Sequence, residues 1–476
     1  MDNLKVNVAV IGAGTAGLAA YRAAVAEGAR AVLIEGGPYG TTCARVGCMP
    51  SKLLIAAAEA AHSTHRWPQF GIQLQGTVNI DGKAVMARVK RERDRFVGFV
   101  LEGVEKIPAT DKLRGHARFI DDYTLQVDDH TRVNFERAVI ATGSSPNLPP
   151  LLRTADDRLI VNDDIFDWDD LPQSVAVFGA GVIGLELGQA LHRLGVSVRI
   201  FGRNHSVGPF TDPEIRAYAT KTFQSEFYLD ANAVVNRVQR VADGVAIHFI
   251  DRDGIERTEV FEYVVAATGR KPNLSALALE NTRLTLDANG VPTFSRQTLQ
   301  CGNNNIFIAG DVNDDAPLLH EAADEGRIAG QNAARSDGAK PGLRRVPLGI
   351  VFSEPQLAVI GSGFNSLTPG NFVCGRVSFE DQGRSRIMLR NQGLLHVYAD
   401  VNSGRLLGAE LIGPDAEHLA HLLSWAIQCE LTVDKALEMP FYHPVVEEGL
   451  RTALRSAQAA LAATRAEQRG WRNRAV

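Results

Sequence analysis

Cysteine is scarce in this sequence: there are five in 476 residues, at positions 43, 48, 301, 374 and 429. Five scattered thiols are too few for the disulfide framework of a secreted domain, so the chain reads as one made for a reducing compartment, with a single special pair. Long hydrophobic runs are missing as well. No apolar stretch reaches the ~18 residues that a membrane helix needs. Met1-Asp2-Asn3-Leu4-Lys5 leads straight into a strand, without a basic n-region, an apolar core or a cleavage site. A cytoplasmic protein that does not enter the membrane is expected. Neither sign of charge dominates: 50 Lys and Arg stand against 55 Asp and Glu, a net charge of −5, which excludes nucleic acid or an anionic membrane as the main partner. No residue set is assigned to a metal. Composition, at 45% apolar and 22% charged, is that of a globular protein long enough for two or three domains.

What is present begins with residues 6–11, a β-branched run of the kind found in a strand buried on both faces of a parallel sheet. Gly12-Ala13-Gly14-Thr15-Ala16-Gly17 follows, then an alanine-rich helix to about Gly28, then the strand 31–34 ending in Glu35. Strand, glycine turn, helix, strand and acid in that order form a complete dinucleotide fingerprint. Gly12 permits the tight turn, Gly14 lets a pyrophosphate approach the helix N-terminus, Gly17 lets helix and strand pack closely, and Glu35 accepts from a ribose hydroxyl.

Gly40-Thr41-Thr42-Cys43-Ala44-Arg45-Val46-Gly47-Cys48-Met49-Pro50-Ser51-Lys52 comes next, at the mouth of an apolar helix from Leu53 to Ala61. Five residues of ideal helix rise ~7.5 Å, beyond the roughly 4.4–6.8 Å Cα separation that a disulfide tolerates. A redox-active disulfide between Cys43 and Cys48 therefore requires an interrupted helix. Gly47 supplies the freedom for it, and Pro50 suits the first turn of the helix that follows. On spacing alone, two buried thiols are the other reading of the pair. Residues 81–107 then form a long helix whose charged face is solvated, Leu113 to Val127 is β-rich, and strand 137–143 stops at the small turn Thr142-Gly143. Ser144 to Pro150, with three prolines, reads as a linker.

The chain then repeats itself. Val175 to Leu185, with Gly179, Gly181 and Gly184, matches residues 8–18 at most positions, which implies a second dinucleotide. Its second strand, 196–201, ends in Gly202-Arg203 where an acid is expected for NAD. An arginine there can pair with a 2′-phosphate, while the retained Gly184 is more usual for NAD, so the nicotinamide preference is open. The strand 263–267 closes this part at Thr268-Gly269-Arg270-Lys271-Pro272-Asn273. Strand 305–311 ends in Asp311, which either accepts from a cofactor's sugar or ribitol chain or caps the helix around His320 to Ala334. From about Pro347 alternating strands and two helices suggest a separate domain. In it, His443-Pro444 precedes Glu447-Glu448, a carboxylate that would fix the imidazole tautomer for proton shuttling, or simply a turn. Residues 451–476 read as a helix fraying into a solvated tail.

Taken together, the cysteine segment ending in Pro50-Ser51-Lys52, the two fingerprints, the 306–311 strand and His443-Pro444 with Glu448 resemble the flavin-dependent pyridine nucleotide-disulfide oxidoreductases, most closely their dihydrolipoamide dehydrogenases. The resemblance covers nearly the whole chain. It implies an α/β fold: two Rossmann-like dinucleotide-binding domains, the second inserted in the first, plus a C-terminal α+β interface domain. The divisions expected are 1–148 for FAD with the redox disulfide, 149–271 for NAD(P), 272–345 returning to the FAD and central part, and 346–476 for dimerisation. It implies FAD at Gly12, Gly14, Gly17 and Glu35, with further contacts from Thr42, Lys52, Ala117, Thr142, Gly143, Ser144, Asp311 and His320. NAD or NADP is expected at Gly179, Gly181, Gly184, Gly202, Arg203 and Gly269.

In this scheme Cys43 is the exchange thiol, Cys48 is the thiolate beside the flavin, and Lys52 pairs with Glu186 near the flavin N5. His443, held by Glu448, takes the thiol proton and is supplied by the other subunit of a homodimer. The implied substrates are a lipoyl domain or another small disulfide or dithiol, with a 2-oxoacid dehydrogenase complex as a wider partner. Val182 looks like the aliphatic residue of the lipoamide enzymes and unlike the tyrosine gate of glutathione reductases. Absence of an N-terminal cysteine-containing metal-binding module and of a C-terminal cysteine pair argues against mercuric reductase and the large thioredoxin reductases. Thr41 replaces the family's glycine, Arg45 its asparagine, and Phe441 a frequent histidine. With Gly202-Arg203, these departures leave substrate and nucleotide open.

Overall fold

The N-terminal apolar run becomes the strand Asp2–Ile11, paired in parallel with Ala31–Glu35 on one side and Thr131–Ile140 on the other. Its alternate residues enter different cores: Ala9 and Ile11 pack with Phe119, Leu125 and Val133, whereas Val8 and Val10 pack with Leu18, Tyr21 and Phe307. Burial on both faces is what erases polar alternation from the sequence. Ile306–Ile308 pairs with the far side of Thr131–Ile140, and three short strands within 112–127 complete a seven-stranded sheet. The computed structural model describes residues 2–474, with side chains as far as residue 467. It divides into two compact units, and this sheet belongs to the first, which runs through Pro50 and includes Arg88–Asn147 and Gly269–Arg344.

The alanine-rich segment forms the helix Thr15–Ala26. Its alanines serve a close helix–helix contact: a Cβ at Gly326 or Gly330 of the helix Leu319–Ala334 would meet the carbonyl oxygens of Ala16 and Ala20 at 2.1 and 2.2 Å. Ser144 to Pro150 departs from its expected role as a linker. Ser144–Pro146 is a strand, paired antiparallel with Arg270–Pro272. Its partner is remote in the chain, so nothing local announces it.

The second unit comprises Ser51–Ala87, Leu148–Thr268 and the chain from Arg345 onward. The repeated motif builds a parallel sheet in the order Tyr228–Asp230, Ser197–Phe201, Ser174–Phe178, Tyr263–Ala266, Leu159–Val161, accompanied by a three-stranded antiparallel sheet spanning Val234 to Phe261. After Arg345 a five-stranded antiparallel sheet, from Leu348–Val351 to Phe372–Ser378, is covered by the helices Ala416–Gln428 and Glu448–Arg474 over Leu395, Val397, Leu419 and Leu454. Two short helices, Gly383–Ile387 and Val433–Leu437, join the two that were expected. The fold is thus α/β with two dinucleotide-binding folds, the second inserted in the first, and a C-terminal α+β part. The closing helix expected from 451 runs from Glu448 to Arg474, and the solvated tail expected at its end lies outside the described side chains.

Within the second unit, Asp212 caps the helix Pro213–Glu226 through Glu214 N–H at 2.9 Å and also accepts from His396 Nδ1 at 2.7 Å and Tyr398 Oη at 2.9 Å. Burial opposes charge on both partners. For Asp212 the hydrogen bonds from His396 and Tyr398 win and hold its carboxyl at about 2; for His396 those to Asp212 and Cys374 win and raise the imidazole to about 9. Because the folded imidazole lies above its unfolded value of about 6.5, its contribution is complete below that pH and disappears as pH rises through about 9. His396→Gln is therefore expected to destabilise the protein by about 3–5 kcal/mol at pH 6. Thermal melts across pH should show the gap between variant and parent closing toward pH 9; a pH-independent gap would contradict this account.

Candidate active site

Each glycine fingerprint is built from the same two constraints. A Cβ at Gly17 would lie 1.8 Å from the Gly12 carbonyl oxygen, and one at Gly184 would lie 1.9 Å from that of Gly179, so helix and turn touch with no room for a side chain. Gly14 and Gly181 differ: nothing lies within 4 Å of a Cβ built on either. Both are helix N-caps, neither provides a side-chain cap, and neither first turn carries an acid. First-turn N–H groups facing open space at a positive helix end fit a pyrophosphate.

Around the first fingerprint, Glu35 turns its carboxylate onto its own backbone frame, accepting from Ala13 N–H at 2.7 Å and Gly37 N–H at 2.6 Å. Each oxygen keeps a lone pair for the expected ribose hydroxyl. Thr142 Oγ1 donates to the Asn273 carbonyl at 2.7 Å, and Gly143 takes φ +68°. Asp311 accepts from Ser144 Oγ at 2.9 Å. It does not cap the following helix, whose N-cap is Leu318. Two residues without an assigned role in the sequence reading complete this corner. Arg270 donates to Ser144 Oγ at 2.8 Å and to the Ser144 carbonyl at 2.7 Å. The fully buried Glu325 accepts from Gly310 N–H at 2.8 Å and Asn313 Nδ2 at 2.7 Å, fixing the turn that presents Asp311. Arg270 stands in the turn motif Thr268 to Asn273, a local signal, whereas Glu325 lies mid-helix with none. Ala117 is buried at the start of its strand, and His320 is exposed on the helix Leu319–Ala334.

The cysteine segment is interrupted as the disulfide reading requires. Thr42–Val46 is one short helix, Gly47 breaks it, and Cys48 opens the helix Cys48–Ser63. A Cβ at Gly47 would come within 3.2 Å of both Cys43 Cα and the Thr42 carbonyl oxygen. Cys43 and Cys48 lie close together, the first half-buried and the second exposed, and Thr42 is exposed beside them. Thr41, where the family has glycine, holds φ 59° and ψ 150° while its hydroxyl accepts from Ala44 N–H at 3.3 Å. That backbone region is nearly glycine-only, with strain of about 1–3 kcal/mol for other residues.

In the second unit Lys52 Nζ donates to both oxygens of Glu186, at 3.0 and 2.8 Å, and Glu186 is buried. His443 Nδ1 meets Glu448 Oε2 at 2.9 Å. Since a carboxylate only accepts, this assigns the proton to Nδ1 and leaves Nε2 as the acceptor. The hydrogen bond with His443 also holds the Glu448 carboxyl below the usual range. Gly202 N–H donates to the Asp230 carbonyl at 2.6 Å, and Arg203 is exposed at the head of the next loop. Val182 is exposed at the first turn of its helix. Gly269, in the first unit, receives Asn147 N–H on its carbonyl at 2.9 Å.

Residues 6–326 match the pyridine nucleotide-disulphide oxidoreductase profile, and residues 348–454 match the dimerisation domain of the same family. The chain belongs to this family. It is an FAD-dependent disulfide oxidoreductase that uses FAD and NAD(P)H, and its dimerisation domain supports a homodimer. Among curated relatives it is similar to the mercuric reductase of Shigella flexneri, 33% identical over 94% of this chain and 80% of that protein. It is also similar to dihydrolipoyl dehydrogenase 2 of Haloarcula marismortui, 28% identical over 96% and 97%. Among solved structures, LpdA from Mycobacterium tuberculosis shares the fold at a TM-score of 0.80 and 23% identity, covering 94% of this chain and 99% of that one. No helix among the described residues is long and apolar enough to cross a membrane.

For an oxidoreductase of this family the contrast within each fingerprint is testable. Gly181→Ala is expected to fold and keep its flavin while the nucleotide KM rises about tenfold, some 1.4 kcal/mol. Gly184→Ala, with its methyl driven into a carbonyl, should lower the thermal midpoint or abolish soluble expression. Steady-state kinetics and melting curves on both variants would separate the two effects; equal behaviour would refute the assignment.

Proposed function

We propose that this enzyme oxidises dihydrolipoyl dithiols, passing an electron pair from the Cys43–Cys48 pair by way of FAD to NAD or NADP. The observation that carries this reading is the His443–Glu448 pair. Its Nδ1 is committed to the carboxylate at 2.9 Å, and the imidazole is 80% exposed, leaving Nε2 for an incoming thiol. Dithiol oxidation releases protons, and a positioned imidazole is the side chain suited to accept them near neutral pH.

In this scheme one substrate sulfur attacks the Cys43 sulfur of the oxidised pair and releases Cys48 as a thiolate. The second substrate sulfur then displaces Cys43, leaving a cyclic disulfide in the product, and His443 takes the thiol proton. Bound FAD supplies the two-electron acceptor between the thiolate and the nicotinamide. Gly12, Gly14, Gly17, Glu35, Thr142 and Asp311 would hold it. The Lys52–Glu186 pair would set the charge beside its reactive edge. His443 would act across the dimer, so an isolated subunit would hold half a site. The same reading takes 1–148 and 272–345 as the FAD part, 149–271 as the nicotinamide part and 346–476 as the interface; unit boundaries at Asn147, Gly269 and Arg344 support its divisions there, whereas Ser51–Ala87 falls in the second unit together with Leu148–Thr268 and the chain from Arg345. The five scattered cysteines support a cytoplasmic location. A lipoyl domain, free or within a 2-oxoacid dehydrogenase complex, is the partner that fits.

A second reading, NAD(P)H-driven reduction of another small disulfide or of a mercuric ion, draws on the 33% identity to a mercuric reductase and on Arg203, suited to a 2′-phosphate. The experiment is anaerobic oxidation of dihydrolipoamide by the purified enzyme with NAD and NADP in parallel, beside NADPH oxidation with glutathione disulfide and Hg(II). Rapid dihydrolipoamide turnover that falls at least about a thousandfold in Cys48→Ser, some 4 kcal/mol, is the expected result. Turnover only with another acceptor would replace the lipoyl reading.

A further inference from the structure

Glu186 does not stand alone on its helix. Gln189 and Arg193, three and seven residues further along Val182–Arg193, share its face, and all three grip the segment Phe352–Glu354. Phe352 N–H donates to Glu186 Oε1 at 2.9 Å. Gln189 accepts Glu354 N–H at 2.8 Å and donates to the Glu354 carbonyl at 2.7 Å. Arg193, its side chain 4% exposed, donates to Glu354 Oε2 at 2.7 Å and to Glu226 at 2.6 Å. The other oxygen of Glu354 accepts from Arg66 at 2.8 Å and Arg390 at 3.0 Å. Burial pushes the Glu354 carboxyl up, but Arg66 and Arg193 outweigh it and hold it at about 2. Three guanidinium groups thus converge on one carboxylate.

The near end of this segment touches both members of the ion pair. While the Phe352 amide holds Glu186, the Phe352 ring lies under Lys52, whose Nζ is 4.8 Å from the ring centroid. Lys52 is 34% exposed, so water competes for its ammonium and its direction depends on these two fixed partners. The segment follows directly on Leu348–Val351, the first strand of the dimerisation domain.

We propose that Glu354 is a positioning residue for the flavin chemistry. Clamped by Arg66, Arg193 and Arg390, it fixes the Phe352 amide and ring, and through them the direction of the Lys52 ammonium. The inference rests on the reading of Lys52–Glu186 as the charge pair beside the flavin.

The test uses the full-length FAD-loaded enzyme and compares Glu354→Gln, Glu354→Asp and Glu186→Gln. The readouts are the flavin midpoint potential, the thiolate–flavin absorbance band of the two-electron-reduced enzyme and the thermal midpoint. Glu354→Gln is expected to change the reduced-to-oxidised flavin ratio at fixed poise about tenfold, ~30 mV for a two-electron couple, in the same direction as Glu186→Gln. Glu354→Asp is expected to restore it in part. A lowered thermal midpoint with potential and band at parental values would make Glu354 merely structural and overturn the proposal. An unshifted potential in Glu186→Gln would overturn the reading of the ion pair, and the proposal with it. If Glu354→Gln fails to retain FAD, Phe352→Leu, which keeps the amide and removes the ring, takes its place; an unshifted potential there overturns the proposal.

Discussion

Two backbone carbonyls, those of Gly12 and Gly179, press so closely on the helices that follow them that only hydrogen fits at Gly17 and Gly184. Each contact brings a helix N-terminus onto the end of a buried parallel strand, and each leaves an open space beside the next glycine, Gly14 or Gly181. The open helix ends at Gly14 and Gly181 follow from that approach.

A second device recurs throughout: a buried carboxylate that accepts backbone N–H donors and so fixes a loop by charge-assisted hydrogen bonds. Glu325 secures the turn before Asp311, Glu186 takes the Phe352 amide, and Glu410 receives Thr211, Asp212 and Phe364 N–H groups at 2.9 Å each. Such groups are expensive to bury unless fully partnered, which restricts the loops they hold to one arrangement. Asp311 and Phe352 accordingly sit next to such anchors, while Cys48 and the imidazole of His443 are exposed.

The cysteine segment is shaped by backbone sterics. Its helix breaks at Gly47, whose φ −125° and ψ −117° are not helical and where a side chain would crowd Cys43 Cα at 3.2 Å. Thr41, on the other side, adopts a backbone conformation ordinarily reserved for glycine. The pair is therefore held in a tightly specified turn, and an irregular loop of this kind is where reactive sulfur chemistry is commonly lodged.

By itself the sequence determined the elements whose physics is local. The glycine spacing, the uninterrupted apolar strands, the break between Cys43 and Cys48 and the His443–Glu448 separation each demand particular residue types at fixed offsets, so they are legible without coordinates. Lys52 with Glu186 was legible only through resemblance, since 134 residues separate them. Tertiary structure decided the partners of buried polar groups: Arg270 on Ser144, Glu325 beneath Asp311, Phe352 against Lys52, and the pairing that turns Ser144–Pro146 from an expected linker into a strand. It also turned Glu35 toward Ala13 and Gly37. The reason is physical. A strand or a tight turn is dictated by sterics within a few residues, whereas a buried charge takes its donors from whichever elements the sheets carry alongside it, at any distance along the chain.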